Sequence, residues 1–172
     1  MIMRSGVWFI TVSAFCLAVF PVSMVSAGGG PPSQNPAMPE FGVSYEFPTG
    51  PVAPGSGISG FIRVEIPEGW HVYAPGVEKK YRKIEIISAD GPVENIKLGY
   101  PPSRDLVILG EKVPVYDGEV VIKVEGRIAE GAEEGARVWR PVVSWQACSD
   151  NLCLAPESRT LEIPIVISAG AG

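Results

Sequence analysis

Two cysteines with four residues between them, Cys148 and Cys153, lie in the segment Trp145-Gln146-Ala147-Cys148-Ser149-Asp150-Asn151-Leu152-Cys153-Leu154-Ala155-Pro156. The Ser, Asp and Asn between them favour a tight polar turn, so the chain can fold back and bring the two Cα atoms within the roughly 4.4 to 6.8 Å that a disulfide requires. Three chemistries suit such a pair. A local clip would stiffen the loop, though for so short a ring loop entropy provides only about 2 kcal/mol, against nearly 5 for a ring of about 100 residues. A bond that opens and closes by thiolate exchange would carry electrons. A metal site would need more than Cys148, Cys153 and His71, with Asp150 imaginable as a fourth zinc ligand. Spacing alone leaves all three open. No Lys, Arg or His sits inside the loop to depress a thiol pKa, so reactivity must depend on the partner and on what covers the pair.

Other functions are excluded more easily. His71 is the only histidine, so a His-rich metal centre is impossible. No G-x-S-x-G nucleophile elbow is present, and no glycine motif that would cradle a phosphate, so no small-molecule cofactor is expected. With 14 Lys and Arg against 19 Asp and Glu, the net charge is −5. The basic side chains are scattered rather than gathered in a stripe, which argues against nucleic acid as a partner.

The elements that must position the cysteines follow from patterning. Arg4 precedes an apolar run, Val7 to Val25, broken only by Thr11, Ser13, Pro21 and Ser23, and the run ends in Val25-Ser26-Ala27. This reads as a secretory signal peptide over residues 1–27. The alternative is an uncleaved membrane anchor of similar length. Cys16 belongs to that run, which leaves an even pair of cysteines for an exported protein in an oxidising compartment. Residues 28–40 are rich in Gly and Pro and read as a flexible leader.

From residue 41 to 172, short alternating segments recur between turn signals: Val43 to Phe47, Gly57 to Ile66, Trp70 to Tyr73, Arg82 to Ser88, Asn95 to Tyr100, Glu119 to Ile128, Arg137 to Ala147 and Arg159 to Ser168. Within them Ile62, Val64 and Ile66 share one face, as do Val120, Ile122 and Val124, and Leu161, Ile163, Ile165 and Ile167. Trp139, Val143 and Trp145 likewise share a face and are expected in the core. Glu130, Glu133 and Glu134 read as a solvated loop. Seven or eight such strands predict an all-β, immunoglobulin-like antiparallel sandwich with no long helix.

At this level of detail the chain resembles the N-terminal periplasmic domain of the DsbD family of thiol:disulfide interchange proteins, also called the disulfide bond corrector domain. Three stretches carry the resemblance: Gly69-Trp70-His71-Val72-Tyr73; Gly110 through Tyr116-Asp117-Gly118; and Trp145 through Cys148 to Cys153-Leu154-Ala155-Pro156-Glu157. It implies that Cys148 and Cys153 form a redox-active disulfide, with Cys153 the more accessible attacking thiol and Cys148 the resolver. It also implies supporting or covering roles for His71, Tyr73, Asp105, Ile108, Leu109, Tyr116 and Asp150. The face of His71 and Tyr73 is expected to approach the cysteines; the alternative is a partly exposed histidine and a rim aromatic. Between Tyr100 and Tyr116 the family carries a cap loop, where this chain has the aliphatic stretch Asp105-Leu106-Val107-Ile108-Leu109 in place of an expected aromatic. The alternative is an edge strand packing inward.

Two functions follow as expectations. The first is a periplasmic thiol–disulfide carrier, a protein-disulfide reductase if active. Its partners would be thioredoxin-like periplasmic proteins and a separate membrane thiol-electron transporter, since the sequence stops at Gly172 after the last strand. The second is a non-catalytic immunoglobulin-like binding module with a structural disulfide.

Overall fold

A computed structural model describes residues 38–170 apart from Lys79 and Leu109. The expected export signal, Cys16, most of the leader and the candidate cap residue Leu109 therefore lie outside the described residues. Twelve strands are described: β1 (Gly42–Glu46), β2 (Gly57–Glu65), β3 (His71–Tyr73), β4 (Glu85–Asp90), β5 (Val93–Gly99), β6 (Arg104–Ile108), β7 (Glu111–Tyr116), β8 (Glu119–Ile128), β9 (Gly135–Trp145), β10 (Ala147–Cys148), β11 (Glu157–Thr160) and β12 (Ile163–Ile167). No helix among the described residues is long and apolar enough to cross a membrane.

The strands form an immunoglobulin-like antiparallel sandwich. One sheet runs β1-β2-β8-β5. In the facing sheet β9 is central, with β4 on one edge and β11 and β12 sharing the other. Period-two alternation drives both layers inward: Ile58, Ile62 and Val64 of β2, Val120, Ile122 and Val124 of β8, and Ile163, Ile165 and Ile167 of β12 are buried, and the residues between them mostly face water. Trp139, Val143 and Trp145 of β9 complete this core, as their shared face predicted.

The single strand expected over Arg159 to Ser168 is two strands. The gap at Leu161 and Glu162 falls opposite Pro141 and Arg140. Pro141 has no N–H to donate to the ladder, and on the other side of β9 the pairing with β4 shifts register at the same place. Leu161 still donates to the Pro141 carbonyl at 2.9 Å, which keeps the two halves aligned.

A third, smaller sheet, β10-β3-β7-β6, holds the cysteines. It joins the first sheet through the two-residue hairpin Asp117-Gly118 between β7 and β8, where Gly118 has φ +67°, a conformation that glycine adopts without Cβ strain. It joins the second sheet through a bridge from Tyr73 to Lys83 and a bond from the Ile84 N–H to the Tyr73 carbonyl at 2.8 Å. The small sheet has two apolar faces. Val72, Tyr116 and Ala147 turn into the main core, while Tyr73, Val113, Val115 and Cys148 form a second cluster against Tyr81, Leu106 and Ile108.

Candidate functional site

Cys148 and Cys153 are bonded to each other, with S–S 2.05 Å and Cα atoms 4.0 Å apart. They face each other across an antiparallel bridge. The hairpin that brings them together is held by Ser149 N–H to the Leu152 carbonyl at 2.7 Å and Leu154 N–H to the Ala147 carbonyl at 2.8 Å. The Gln146 amide also donates to the Leu154 carbonyl at 2.9 Å, and the Ser149 hydroxyl accepts from the Asn151 N–H at 3.4 Å. The Ser149 side chain thus makes local backbone bonds, as serine does in tight turns.

The two sulfurs have different surroundings. Cys148 is 1% exposed and sits in the second apolar cluster. Cys153 is exposed and lines an open recess of about 440 Å³, with His71, Tyr73, Leu106, Ile108, Asp150 and Leu152 among its walls. Of the two, Cys153 is thus the one that borders solvent.

Tyr73 and His71 both reach this site and both are buried, at 4% and 5% exposure, so neither is the rim or partly exposed side chain of the alternative reading. The Tyr73 hydroxyl lies 3.9 Å from Cys153 Sγ; a disulfide sulfur carries no hydrogen, so the phenol is the donor. Burial, followed by neighbouring Tyr81, pushes the Tyr73 pKa up and keeps that proton in place. Tyr81 packs on Tyr73 with ring centroids 4.6 Å apart and the planes tilted by 39°, and Lys80 sits 5.0 Å from the Tyr81 centroid. His71 packs edge-on against Tyr73, centroid to centroid 5.9 Å. Burial, then the Arg104 guanidinium, lowers its pKa, while Asp150 and Asp117 pull the other way.

The remaining candidates divide. Ile108 and Leu106 pack on the second cluster from β6, an edge strand, so this stretch is a strand and also a wall of the recess. Asp150 lines the recess from the hairpin turn. Asp105 lies on the other face of β6, ion-paired with Lys112 at 3.8 Å, and is not brought to the sulfurs. Tyr116 belongs to the main core, its hydroxyl donating to the Pro101 carbonyl at 2.8 Å. Sequence reasoning missed Tyr81, Val113 and Val115. The alternation of Val113 and Val115 was visible, but Pro114 between them obscured a strand; Tyr81 sits in the charged stretch Lys79 to Lys83, where only its aromatic character was a signal.

Comparison with known proteins bears on this geometry. Residues 45–164 match the model of a family described as thiol:disulfide interchange protein DsbD, N-terminal. Among solved structures, the N-terminal periplasmic domain of ScsB from Proteus mirabilis superposes with a TM-score of 0.55 at 18% identity, covering 72% of this chain and 45% of that one. The chain thus spans less than half of that structure's length. The DsbD N-terminal domain of Neisseria meningitidis in the reduced form gives a TM-score of 0.42 at 18% identity, covering 63% and 78%. No curated protein matches. With a family match over most of its length and a disulfide-forming cysteine pair in an immunoglobulin-like frame, the chain belongs to the family of DsbD N-terminal domains.

Proposed function

We propose that the protein is a periplasmic thiol–disulfide carrier that passes electrons through Cys148 and Cys153 to or from thioredoxin-like proteins. The observation that carries this reading is the asymmetry of the pair: one cysteine opens onto a recess and its partner is buried in an apolar cluster. A structural clip needs no such asymmetry, and a six-residue ring contributes little stability. The reported fold neighbour is described as a periplasmic domain, and the apolar run at residues 7–25 has the form of an export signal.

In the forward direction the Cys153 thiolate attacks an acceptor disulfide, giving a mixed disulfide and one acceptor thiolate. Cys148 then attacks Cys153 Sγ, the bond to the acceptor breaks, and the intramolecular disulfide re-forms. The Tyr73 hydroxyl is placed to donate to Cys153 Sγ, which favours its thiolate form. Leu106 and Ile108 wall one side of the recess and restrict the approach to partners that fit it.

Trapping tests this reading. Cys148→Ser leaves Cys153 free to attack but removes the resolver, so it should hold thioredoxin-like partners as mixed disulfides that run as reducible adducts. Cys153→Ser should hold none. No adduct with either variant, together with full biological activity of the double variant, would refute the carrier and favour a structural bridge.

A further inference from the structure

The small sheet holds the chain's single histidine in a costly position. His71 is 5% exposed and its Nε2 has no hydrogen-bond partner among the described residues. An unpaired buried polar atom costs about 1–3 kcal/mol, and where a fold keeps one the explanation is often functional.

Strand register sets what this imidazole adjoins. β3 and β10 are antiparallel with His71 directly opposite Cys148, so the two side chains project from one face with Cβ atoms about 4.5 to 5.5 Å apart. Tyr73, two residues further along the same face, reaches Cys153. The phenol therefore serves the exposed sulfur and the imidazole adjoins the buried one. The charged and titratable groups that face His71 are Asp150 on the hairpin turn, Arg104 on β6, Asp117 on the β7–β8 turn and Tyr73 on its own strand. Their balance with burial keeps the ring neutral at neutral pH, the form that can accept a proton.

Given the exchange activity proposed above, we propose that His71 is the base that takes the thiol proton of Cys148 and so allows it to resolve the mixed disulfide. Cys148 is 1% exposed in an apolar cluster, surroundings that disfavour an isolated thiolate, so the resolving step calls for a local proton acceptor. After Cys153 has attacked the acceptor and one acceptor thiolate has left, the Cys148 proton moves to the imidazole. The Cys148 thiolate then attacks Cys153 Sγ, the bond between Cys153 and the acceptor breaks, and the second acceptor thiolate departs. The imidazolium returns its proton to that thiolate directly or through solvent. The cysteine pair has lost two electrons and two protons, and the acceptor has gained both.

Single-turnover reaction of the reduced, untagged chain with 5,5′-dithiobis(2-nitrobenzoate) separates the two steps. In a Cys16→Ser background, attack by Cys153 releases one nitrothiobenzoate and resolution by Cys148 releases the second. His71→Gln, similar in size and still polar, should leave the first release within about twofold and slow the second about 100-fold at pH 7, the low end for loss of a general base. The wild-type second phase should fall below the imidazole pKa, whereas that of the variant should climb about tenfold per pH unit as unassisted thiolate forms. A second phase with unchanged rate and pH profile in His71→Gln overturns the assignment. Absence of the first phase in the wild type overturns the exchange reading instead. Should the variant not fold, the natural side chain decides the matter: a single histidine gives one imidazole C2–H resonance. Reduction gives the unpaired Nε2 a thiol donor, which stabilises the neutral ring, so its titration midpoint should fall on reduction of the disulfide, and identical midpoints in both redox states would overturn the proposal.

Discussion

Opening the Cys148–Cys153 bond should cost the domain about 2 kcal/mol and leave it folded. The ring is short, with a sequence separation of 5 between the cysteines. For six residues the loop-entropy relation gives about 7 cal/mol/K, or about 2 kcal/mol at 25 °C. The main core does not depend on the bridge: Trp139, Ile62, Ile122 and Ile163 are fully buried in the facing sheets, and the cysteines lie in a separate cluster on the outer side of the small sheet. At roughly 4 °C per kcal/mol for a domain of this size, Tm should drop about 8 °C. Thermal melts by circular dichroism on oxidised protein, protein reduced with dithiothreitol, and the Cys148→Ala, Cys153→Ala double variant measure it. Alanine avoids placing an unpaired hydroxyl at the buried Cys148 position. A reduced protein that is unfolded at 25 °C, or a fall above about 20 °C, corresponds to a staple of about 5 kcal/mol and would refute the separation of stability from chemistry.

Three further outcomes are expected. In reduced protein, iodoacetamide should modify Cys153 faster than Cys148, because only Cys153 opens onto the recess; mass spectrometry of the peptides reads the order, and equal rates would contradict the assignment of the attacking sulfur. Tyr73→Phe removes the hydroxyl 3.9 Å from Cys153 Sγ. At about 0.5 to 1 kcal/mol for such a bond, Cys153 alkylation at pH 7 should slow by about threefold with the fold intact, and an unchanged rate would show that the phenol does not support the thiolate. Acidification should destabilise the folded state through His71. Its folded pKa lies below the ordinary 6.5, so the unfolded chain binds the proton first. The stabilising contribution of the neutral ring is present above pH 6.5 and is lost as pH falls from there through the folded pKa. Urea midpoints measured from pH 7.5 down to 5 should fall less steeply in His71→Gln, and parallel slopes would argue against a buried neutral imidazole.

The sandwich was legible because its long strands alternate strictly and face one core: Ile62 and Val64, Val120 to Val124 and Ile163 to Ile167 each give their inward face away. The interruption at Leu161 and Glu162 was not legible from that segment, since its cause is Pro141 on another strand. The cysteine hairpin was readable from its turn residues, but the difference between the two sulfurs was not. That difference arises from tertiary packing: Val113, Val115 and Tyr73 enclose Cys148, and they come from strands distant in sequence. Asp105 shows the converse limit. Its proximity in sequence to Leu106 and Ile108 suggested a shared role, yet strand alternation turns it to the opposite face and towards Lys112.

Alternation across a strand of only three residues decides which side chains hold the main core and which face the disulfide. In β3, Val72 enters the main core while His71 and Tyr73 turn to the disulfide. β7 repeats the division with Tyr116 against Val115, and β10 with Ala147 against Cys148. A one-residue slip would exchange the faces, burying an imidazole and a phenol among aliphatic side chains and leaving Val72 beside the sulfurs. So short a strand cannot fix its own register by pairing alone. The bonds from Ile84 N–H to the Tyr73 carbonyl and from Ala74 N–H to the Pro114 carbonyl hold its C-terminal end from both neighbours, at 2.8 and 3.0 Å. The strand beneath the disulfide hairpin is thus held in register at backbone atoms that do not belong to the cysteines.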